Sequence, residues 1–162
     1  MASVLVGYGT KMGGTVAIAE RIGEVLTLAG HDVTVADASK VRKVDGYDAA
    51  VVGSGLYAGM WRRPAKGLVR GIGKAAPGLP LWLFHSGPLG DEEAGEPQAF
   101  PKWLRELEPQ LNVRDKVTFG GVLDETAKGF IAKSMRKNGM GGDWRDMEAI
   151  GRWAETIAAE LG

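Results

Sequence analysis

The feature of this sequence that most restricts its fold is a pair of short, almost continuously apolar runs. "DAAVVGS" extends from Asp48 to Ser54, and "LPLWLFHS" extends from Leu79 to Ser86. Neither run alternates apolar with polar side chains, as a strand with one solvated face would. Unbroken apolar runs of this length are typical of strands that helices cover on both faces, which indicates parallel strands. The chain is therefore predicted to be an α/β protein.

The remaining sequence supplies further strands and helices for such a fold. Short apolar or β-branched runs bounded by Gly, Pro or Asp predict five strands, at Val4–Tyr8, Asp32–Ala36, Tyr47–Ser54, Leu79–Phe84 and Lys116–Val122. Apolar residues at helical spacing predict a first helix that is ended by Gly30. Two more helices are predicted to begin near Pro64 and Pro101, where proline suits the first turn.

The last helix has the clearest pattern. Its apolar stripe consists of Met147, Ile150, Ala154, Ile157 and Leu161, and Asp143 stands where an N-cap is expected. A short basic insertion is predicted before it, at about 124–142. At 162 residues the chain has the length of one domain, so we expect a single domain over residues 1–162.

Composition excludes several kinds of site. The chain contains no cysteine, which rules out disulfides, zinc-thiolate sites, cysteine-ligated iron-sulfur clusters and thiolate nucleophiles. Any redox chemistry would need a bound organic cofactor. The 20 basic and 20 acidic residues balance, which argues against a nucleic-acid-binding protein. With no targeting or transmembrane segment recognised, a cytoplasmic location is expected, and contact with the membrane surface stays open.

A glycine-rich bend, "TKMGGT" from Thr10 to Thr15, joins the first strand to the first helix. Backbone N–H groups at a helix N-terminus favour an anion, and the two threonine hydroxyls can also donate to phosphate oxygens; neither hydroxyl is expected to be needed for the turn. A P-loop would need Lys before the final threonine, where this chain has Gly14, and the third glycine of a dinucleotide fingerprint would fall on Met12. A bend without a ligand is the alternative.

Two further loops follow the third and fourth strands. "GSGLYAGMW" contains Gly53 and Gly55, which permit close approach of the backbone or positive φ angles, and then Tyr57 and Trp61. These two rings can cover a planar heterocycle or pack on the edge of the core. The other loop, "HSGPLGDEEAGE", begins at His85. A histidine at a strand end can deliver protons or simply hydrogen-bond within the fold, so His85 is given no role.

These three loops resemble those of the flavodoxin family. Within it, "YGTKMGGT", "VVGSGLYAGMWRRPAKGLV" and the basic insertion before "GGDWRDMEAIGRWAETIA" are most similar to the branch of menaquinone-dependent protoporphyrinogen oxidase. The resemblance implies a doubly wound, five-stranded parallel sheet of order 2-1-3-4-5 with helices on both faces. It also implies FMN as cofactor, with the phosphate in the first loop and the flavin ring between the other two.

The cofactor-binding residues that follow from this resemblance are Thr10, Lys11, Met12, Gly13, Gly14, Thr15, Ser54, Gly55, Leu56, Tyr57, Ala58, Gly59, Trp61, Ser86, Gly87, Pro88 and Leu89. No catalytic side chain and no metal site is predicted. The implied function is that of a flavoprotein which transfers electrons or hydride, as a redox enzyme or as an electron carrier. Its redox partner would be a protein, a quinone or a small-molecule substrate.

Two other functions remain open from the sequence. The same loops could hold a deazaflavin coenzyme, or the chain could be a non-catalytic binding module. A phosphorylated receiver domain is a poor match, because it needs clustered Asp at strand ends where this chain has Gly7, Tyr8, Gly53 and Ser54.

The charge distribution adds one expectation about partners. No Asp or Glu occurs between Asp48 and Asp91, and this interval carries Arg62, Arg63, Lys66, Arg70 and Lys74. The basic face from Arg62 to Lys74 is either a solvated helix face or a surface that attracts an anionic partner. Porphyrin propionates, an acidic protein, anionic lipid and a polyanionic coenzyme are the candidates.

Overall fold

The computed structural model describes residues 1–10, 13–57, 60–87, 100–120 and 147–162. Its strands are β1 (Ser3–Gly9), β2 (Asp32–Asp37), β3 (Ala49–Tyr57), β4 (Met60–Trp61), β5 (Pro80–Gly87) and β6 (Asn112–Gly120). Its helices are α1 (Gly14–Leu28), α2 (Arg63–Ala75), α3 (Lys102–Leu107) and α4 (Met147–Leu161). Two short 3₁₀ turns, Ala38–Lys40 and Glu108–Gln110, come directly after β2 and α3. The predicted insertion and Asp143 lie outside the described residues.

The five long strands form one parallel sheet in the order β2-β1-β3-β5-β6. Numbered along the chain without β4, this is the predicted order 2-1-3-4-5, and the doubly wound α/β fold is confirmed. Strand β4 was not predicted. It is only two residues long and pairs antiparallel with the end of β3, so no hydrophobic period can reveal it.

Helices cover both faces of the sheet, which explains the unbroken apolar runs. Val51 belongs to a core cluster with residues of α1 and α4, whereas the next residue, Val52, packs with residues of α2 and α3. Both side chains are fully buried. Adjacent side chains of a strand point to opposite faces, so a strand between two helical layers needs apolar residues at every position.

Two strand starts differ from the predictions by two residues or more. β3 begins at Ala49 instead of Tyr47, because Asp48 is engaged with Ser3, accepting its N–H at 2.8 Å on the carboxylate. β6 begins at Asn112, four residues before the predicted start. It lies at the edge of the sheet and pairs with β5 alone, so it tolerates the charged residues Arg114 and Asp115 that obscure the strand pattern.

The end of α1 follows the prediction. Gly30 adopts a left-handed conformation with a φ of 98°, and the N–H groups of Gly30 and His31 bond to the carbonyls of Thr27 and Leu26. These bonds satisfy carbonyl groups in the last turn of the helix, as is common where glycine follows a helix. Across the described ranges, no helix is both long and apolar enough to cross a lipid bilayer.

Candidate functional site

The predicted cofactor loops follow three strands that are neighbours in the sheet. Along their carboxyl ends, Gly9 of β1 is opposite Ser54 of β3, and Ser54 is opposite His85 of β5. Gly55 is likewise opposite Ser86. The carboxyl edge of the sheet therefore brings the ends of β1, β3 and β5 together, which is where open α/β sheets bind their ligands.

The bend after β1 is closed by one of its own hydroxyls. The N–H of Gly13 donates to Oγ1 of Thr10 at 2.9 Å, and Gly13 has a φ of 84°. The expectation that neither threonine takes part in the turn is thus wrong for Thr10. Among the described residues, no side chain caps the start of α1, and its first turn carries no acidic residue. The positive end of the α1 dipole is therefore not neutralised by a nearby carboxylate of the first turn.

Thr15 lies at this helix end, and its hydroxyl forms no hydrogen bond with the described residues. The residue as a whole is only 2% exposed, but no buried side-chain oxygen or nitrogen of the described chain lacks a partner, so this hydroxyl oxygen is accessible at the edge of the sheet. A Cβ added at Gly55 would lie 2.9 Å from Oγ1 of Thr15. The absent side chain at Gly55 therefore permits the close approach of this hydroxyl to the end of β3.

The glycines of the second loop differ from their predicted role. Among the described residues, positive φ angles occur at Gly13, Gly30, Gly46 and Gly162. Gly53 and Gly55 thus need no left-handed conformation, and they act by close approach instead. A Cβ at Gly53 would overlap the ring of Phe84, which packs against that strand from β5.

At the end of each strand, successive side chains point to opposite faces of the sheet, and so to different helical layers. Phe84 packs in the α1 and α4 layer, so Ser86, two residues further along β5, faces the same side as Thr15 and Gly55. Ser54 is buried on the opposite side. Its hydroxyl accepts the N–H of Arg62 at 2.8 Å and donates to the carbonyl of Gly55 at 2.9 Å. Ser54 therefore holds the end of β3 to the start of α2.

Trp61 is placed differently from the expectation of a ring over a heterocycle. It is 6% exposed and belongs to the core cluster on the α2 and α3 side. Its indole N–H donates to Nδ1 of His85 at 3.2 Å, and Nε2 of His85 lies 2.9 Å from Oγ1 of Thr118. An indole N–H can only donate, so Nδ1 must accept, and the proton of the neutral imidazole is on Nε2. This buried setting favours a packing role for Trp61.

His85 is a buried hydrogen-bonding residue of this cluster. Its ring stacks on Phe100, with centroids 3.9 Å apart and planes 10° apart. Phe100 and Thr118 were not predicted from the sequence as neighbours of this strand end. No local signal could reveal them, because both are distant in sequence and reach His85 only through the packing of α3 and β6.

Six of the predicted cofactor residues lie outside the described part of the chain. They are Lys11, Met12, Ala58, Gly59, Pro88 and Leu89. Of the other residues in the loops, Leu56 packs against the core cluster of the α2 side and is paired with Trp61 across β3 and β4. Tyr57 and Gly87 are the last residues of β3 and β5.

Charged groups at the end of β2 border this edge. Tyr8 of β1 is opposite Asp37 of β2, and burial, the Asp37 charge and the Glu20 charge raise the pKa of the Tyr8 phenol. The Ser39 hydroxyl and then its backbone N–H, both donating to the carboxylate, lower the pKa of Asp37. Asp37 caps the 3₁₀ turn.

A groove of about 500 Å³ lies between α2 and residues 38–45. Val41, Arg42 and Lys43 line one side, and Pro64, Gly67 and Gly71 of α2 line the other. None of the predicted cofactor residues contributes to it. The groove is therefore separate from the candidate site at the strand ends.

Comparison with known proteins points to one family. A family model described as "Flavodoxin domain" matches residues 5–143 of this chain. A short-chain flavodoxin associated with a non-canonical PDU bacterial microcompartment has a TM-score of 0.68 at 17% identity, with both chains covered completely. A flavodoxin from the domain Archaea has a TM-score of 0.66 at 18% identity, covering 98% of each chain.

A third solved structure, oxidised flavodoxin 1 from Bacillus cereus, is similar with a TM-score of 0.67 at 12% identity. The match covers 99% of this chain and 100% of the flavodoxin. At these identities the likeness shows a shared fold. Neither the family model nor these structures supports the narrower likeness to menaquinone-dependent protoporphyrinogen oxidase.

Proposed function

Because this chain belongs to the flavodoxin family, we propose that it binds FMN and transfers electrons or hydride between a donor and an acceptor. The family and the fold support this function in general terms. The residues at the carboxyl edge of the sheet give it a specific basis in this chain.

The observation that carries the proposal is the unpartnered hydroxyl of Thr15. Such a hydroxyl can donate to a ligand without giving up a bond within the described chain. It lies in the first turn of α1, where it closely approaches Gly55 at the end of β3. A phosphate monoester fits this donor set, since it is an anion with several acceptor oxygens.

In this proposal the phosphate of FMN lies against the loop of Gly13 and Gly14 and is held by the hydroxyls of Thr15 and Thr10, the latter staying able to donate while it accepts from Gly13. Lys11 and Met12 are also proposed as residues of this loop. None of the described residues of the loop has a basic side chain. The helix dipole and neutral donors supply the attraction.

The flavin ring is proposed to lie beyond Gly55 and Ser86, next to the ends of β3 and β5. The second loop would contribute Ser54, Leu56, Tyr57, Ala58, Gly59 and Trp61, and the third would contribute Gly87, Pro88 and Leu89. When bound, the flavin supplies the one-electron and hydride chemistry. The chain's own residues bind the cofactor, orient it and exclude water from it; Trp61 acts from the core by holding the second loop in place.

The direct test is a titration of the purified protein with FMN and with riboflavin, followed by quenching of flavin fluorescence. We expect saturable binding of FMN and markedly weaker binding of riboflavin, because only FMN carries the phosphate. Binding of neither flavin, or equal binding of both, would contradict the proposed phosphate site. A deazaflavin coenzyme titrated in parallel decides between the two coenzymes, since the loops could hold either.

The likeness of "YGTKMGGT" and "VVGSGLYAGMW" to the protoporphyrinogen oxidase branch selects the first substrate to test. The FMN-loaded protein would be incubated with protoporphyrinogen and a quinone, and the appearance of porphyrin fluorescence would be followed. An unchanged rate relative to a sample without protein would remove porphyrin from the proposal and leave electron transfer to another acceptor.

A further inference from the structure

One face of α2 is a continuous basic stripe. Arg63, Lys66, Arg70 and Lys74 recur at intervals of three and four residues, so they share one side of the helix. The opposite side is buried and consists of Ala65, Leu68, Val69 and Ile72. The helix has 13 residues, so the stripe extends over about 20 Å. Three of its cations are exposed, and Lys66 is partly exposed.

No acidic side chain of the described residues neutralises the basic stripe. The helix contains no acidic residue, and none of the four cations forms an ion pair with any residue of the described ranges. Other cations of the chain do have partners, as in the pairs Arg21–Glu24, Arg114–Glu160 and Arg152–Glu148. An uncompensated row of like charges raises the cost of the folded state, and an anionic partner would lower it.

Part of the stripe is held in place by an aromatic ring. The Nζ of Lys66 lies 5.3 Å from the ring centre of Trp103, and the guanidinium of Arg70 lies 5.8 Å from it. These cation–π contacts reduce the freedom of both side chains before any partner binds. A preorganised charged surface loses less conformational entropy on binding.

The stripe begins at the edge where the cofactor is proposed to bind. Arg63 is the first residue of α2 and follows Trp61 and Arg62, whose backbone N–H is bonded to Ser54 at the end of β3. A partner seated along α2 would therefore be close to the proposed flavin site. This adjacency matters for electron transfer between proteins, which requires the two cofactors to come close.

We propose that the basic stripe of α2 is the docking surface for an acidic protein that exchanges electrons with this one, a proposal that rests on the proposed FMN-dependent function. A membrane is the less suitable partner. Membrane-surface helices combine basic residues with large exposed apolar ones, whereas the side of α2 opposite the stripe is buried. Met60 is the large apolar residue exposed next to this helix in the described chain.

The test of docking does not depend on the cofactor. A fluorescent poly-L-glutamate peptide is titrated with the protein as purified, in parallel with vesicles of phosphatidylglycerol and phosphatidylcholine. The stripe variant Arg70→Glu/Lys74→Glu is compared with Arg114→Glu/Arg152→Glu, which changes the net charge equally on the opposite helical layer and on the edge strand. Both replaced stripe residues lie in the second half of α2, away from its start at the second cofactor loop, and circular dichroism verifies that each variant is folded.

We expect poly-L-glutamate to bind the wild type, with affinity that falls as salt is added. The stripe variant should bind at least about tenfold more weakly, and the control variant should bind like the wild type. Equal weakening in both variants, no binding by the wild type, or binding to anionic vesicles alone would overturn the proposal.

A kinetic arm tests the redox part on the FMN-loaded protein. The reduced protein is mixed with cytochrome c or with cytochrome c whose lysines have been succinylated, which makes it acidic. We expect faster reduction of the acidic form at low salt, and a reversed preference in the stripe variant. The same preference in both proteins would overturn the docking proposal. Protein that binds poly-L-glutamate but never FMN would disprove the proposed function and leave the docking surface supported.

Discussion

The indole N–H of Trp61 donates a hydrogen bond to Nδ1 of His85, and this bond joins the two-residue strand β4 to the carboxyl end of β5. Both groups are buried, and the Nε2 atom of His85 reaches Thr118 of β6. The pair therefore connects β4 with β5 and β6. Strand β4 belongs to the second proposed flavin loop.

Replacing His85 by Phe should destabilise the protein by about 1–3 kcal/mol, because it leaves the Trp61 N–H buried without an acceptor. His85→Gln keeps an acceptor for Trp61 and a donor for Thr118, so we expect a smaller loss. The free energies of unfolding would be measured in urea. In a double-mutant cycle with Trp61→Phe, the double variant should lose less than the sum of the single losses; strict additivity would mean that the bond contributes nothing.

Thr15→Val should weaken FMN by about 1.5–3 kcal/mol and riboflavin much less, because only the phosphate accepts a charge-assisted bond from this hydroxyl. Since the hydroxyl has no partner in the described chain, the free energy of unfolding of the cofactor-free protein should change little. Flavin fluorescence gives the affinities. Thr34→Val on the exposed part of β2 is the matched control and should leave both affinities unchanged. Equal losses of affinity for both flavins would mean that the phosphate does not bind at Thr15.

Replacing a glycine by alanine should lower the stability of the protein in the sheet and raise it in α2. Gly53→Ala puts a methyl group into the ring of Phe84, so we expect a destabilisation of about 1–3 kcal/mol from overpacking. Gly67→Ala lies on α2 where a Cβ meets nothing, so it should stabilise the protein by about 0.5–1 kcal/mol. Thermal and urea unfolding measure both. A neutral Gly53→Ala would show that β3 and β5 are not packed as described.

Asp37 should make stability depend on pH in the acidic range. The bonds from Ser39 lower the pKa of its carboxyl in the folded state. The carboxylate therefore contributes stability that is present above its unfolded pKa, near about 3.9, and is lost as the pH falls through the lower folded pKa. Asp37→Ala should cost about 0.5–2 kcal/mol at neutral pH as a lost cap.

That difference between Asp37→Ala and the wild type should disappear at the acidic end of the range. Ser39→Ala removes the bond from the hydroxyl while keeping the carboxylate, so it should reduce the acid dependence without abolishing it. Urea unfolding at a series of pH values between neutral and acidic gives the comparison. A difference that is constant over the whole range would mean that the carboxylate charge has no role in the cap.

The sequence allowed the sheet to be predicted because each central strand is covered on both faces. Val51 and Val52 are both buried, on opposite sides, so the apolar run alone revealed a parallel strand between helices. β4 could not be predicted in this way, because two residues have no period.

At the candidate site, residue types were easier to predict than orientations. Thr15 and Gly55 were both expected there, and the structure brings them together. Trp61 was expected to face a cofactor, but its indole N–H donates to Nδ1 of His85 in the core. His85 is 24 residues away in the sequence and lies on a different strand. Which face of a loop an aromatic ring adopts depends on such distant partners, so composition cannot reveal it.

The alternation along β3 and β5 sends Gly55 and Ser86 towards α1, and Ser54 and His85 towards α2. If the phosphate is retained on the first side and the redox partner is selected on the second, the two properties are encoded by side chains on opposite faces of the sheet. Substitutions on the outside of α2 could then switch this protein to a different partner while its cofactor stayed in place. The route of electron transfer could thus change, in evolution or by design, without substitutions in the cofactor site.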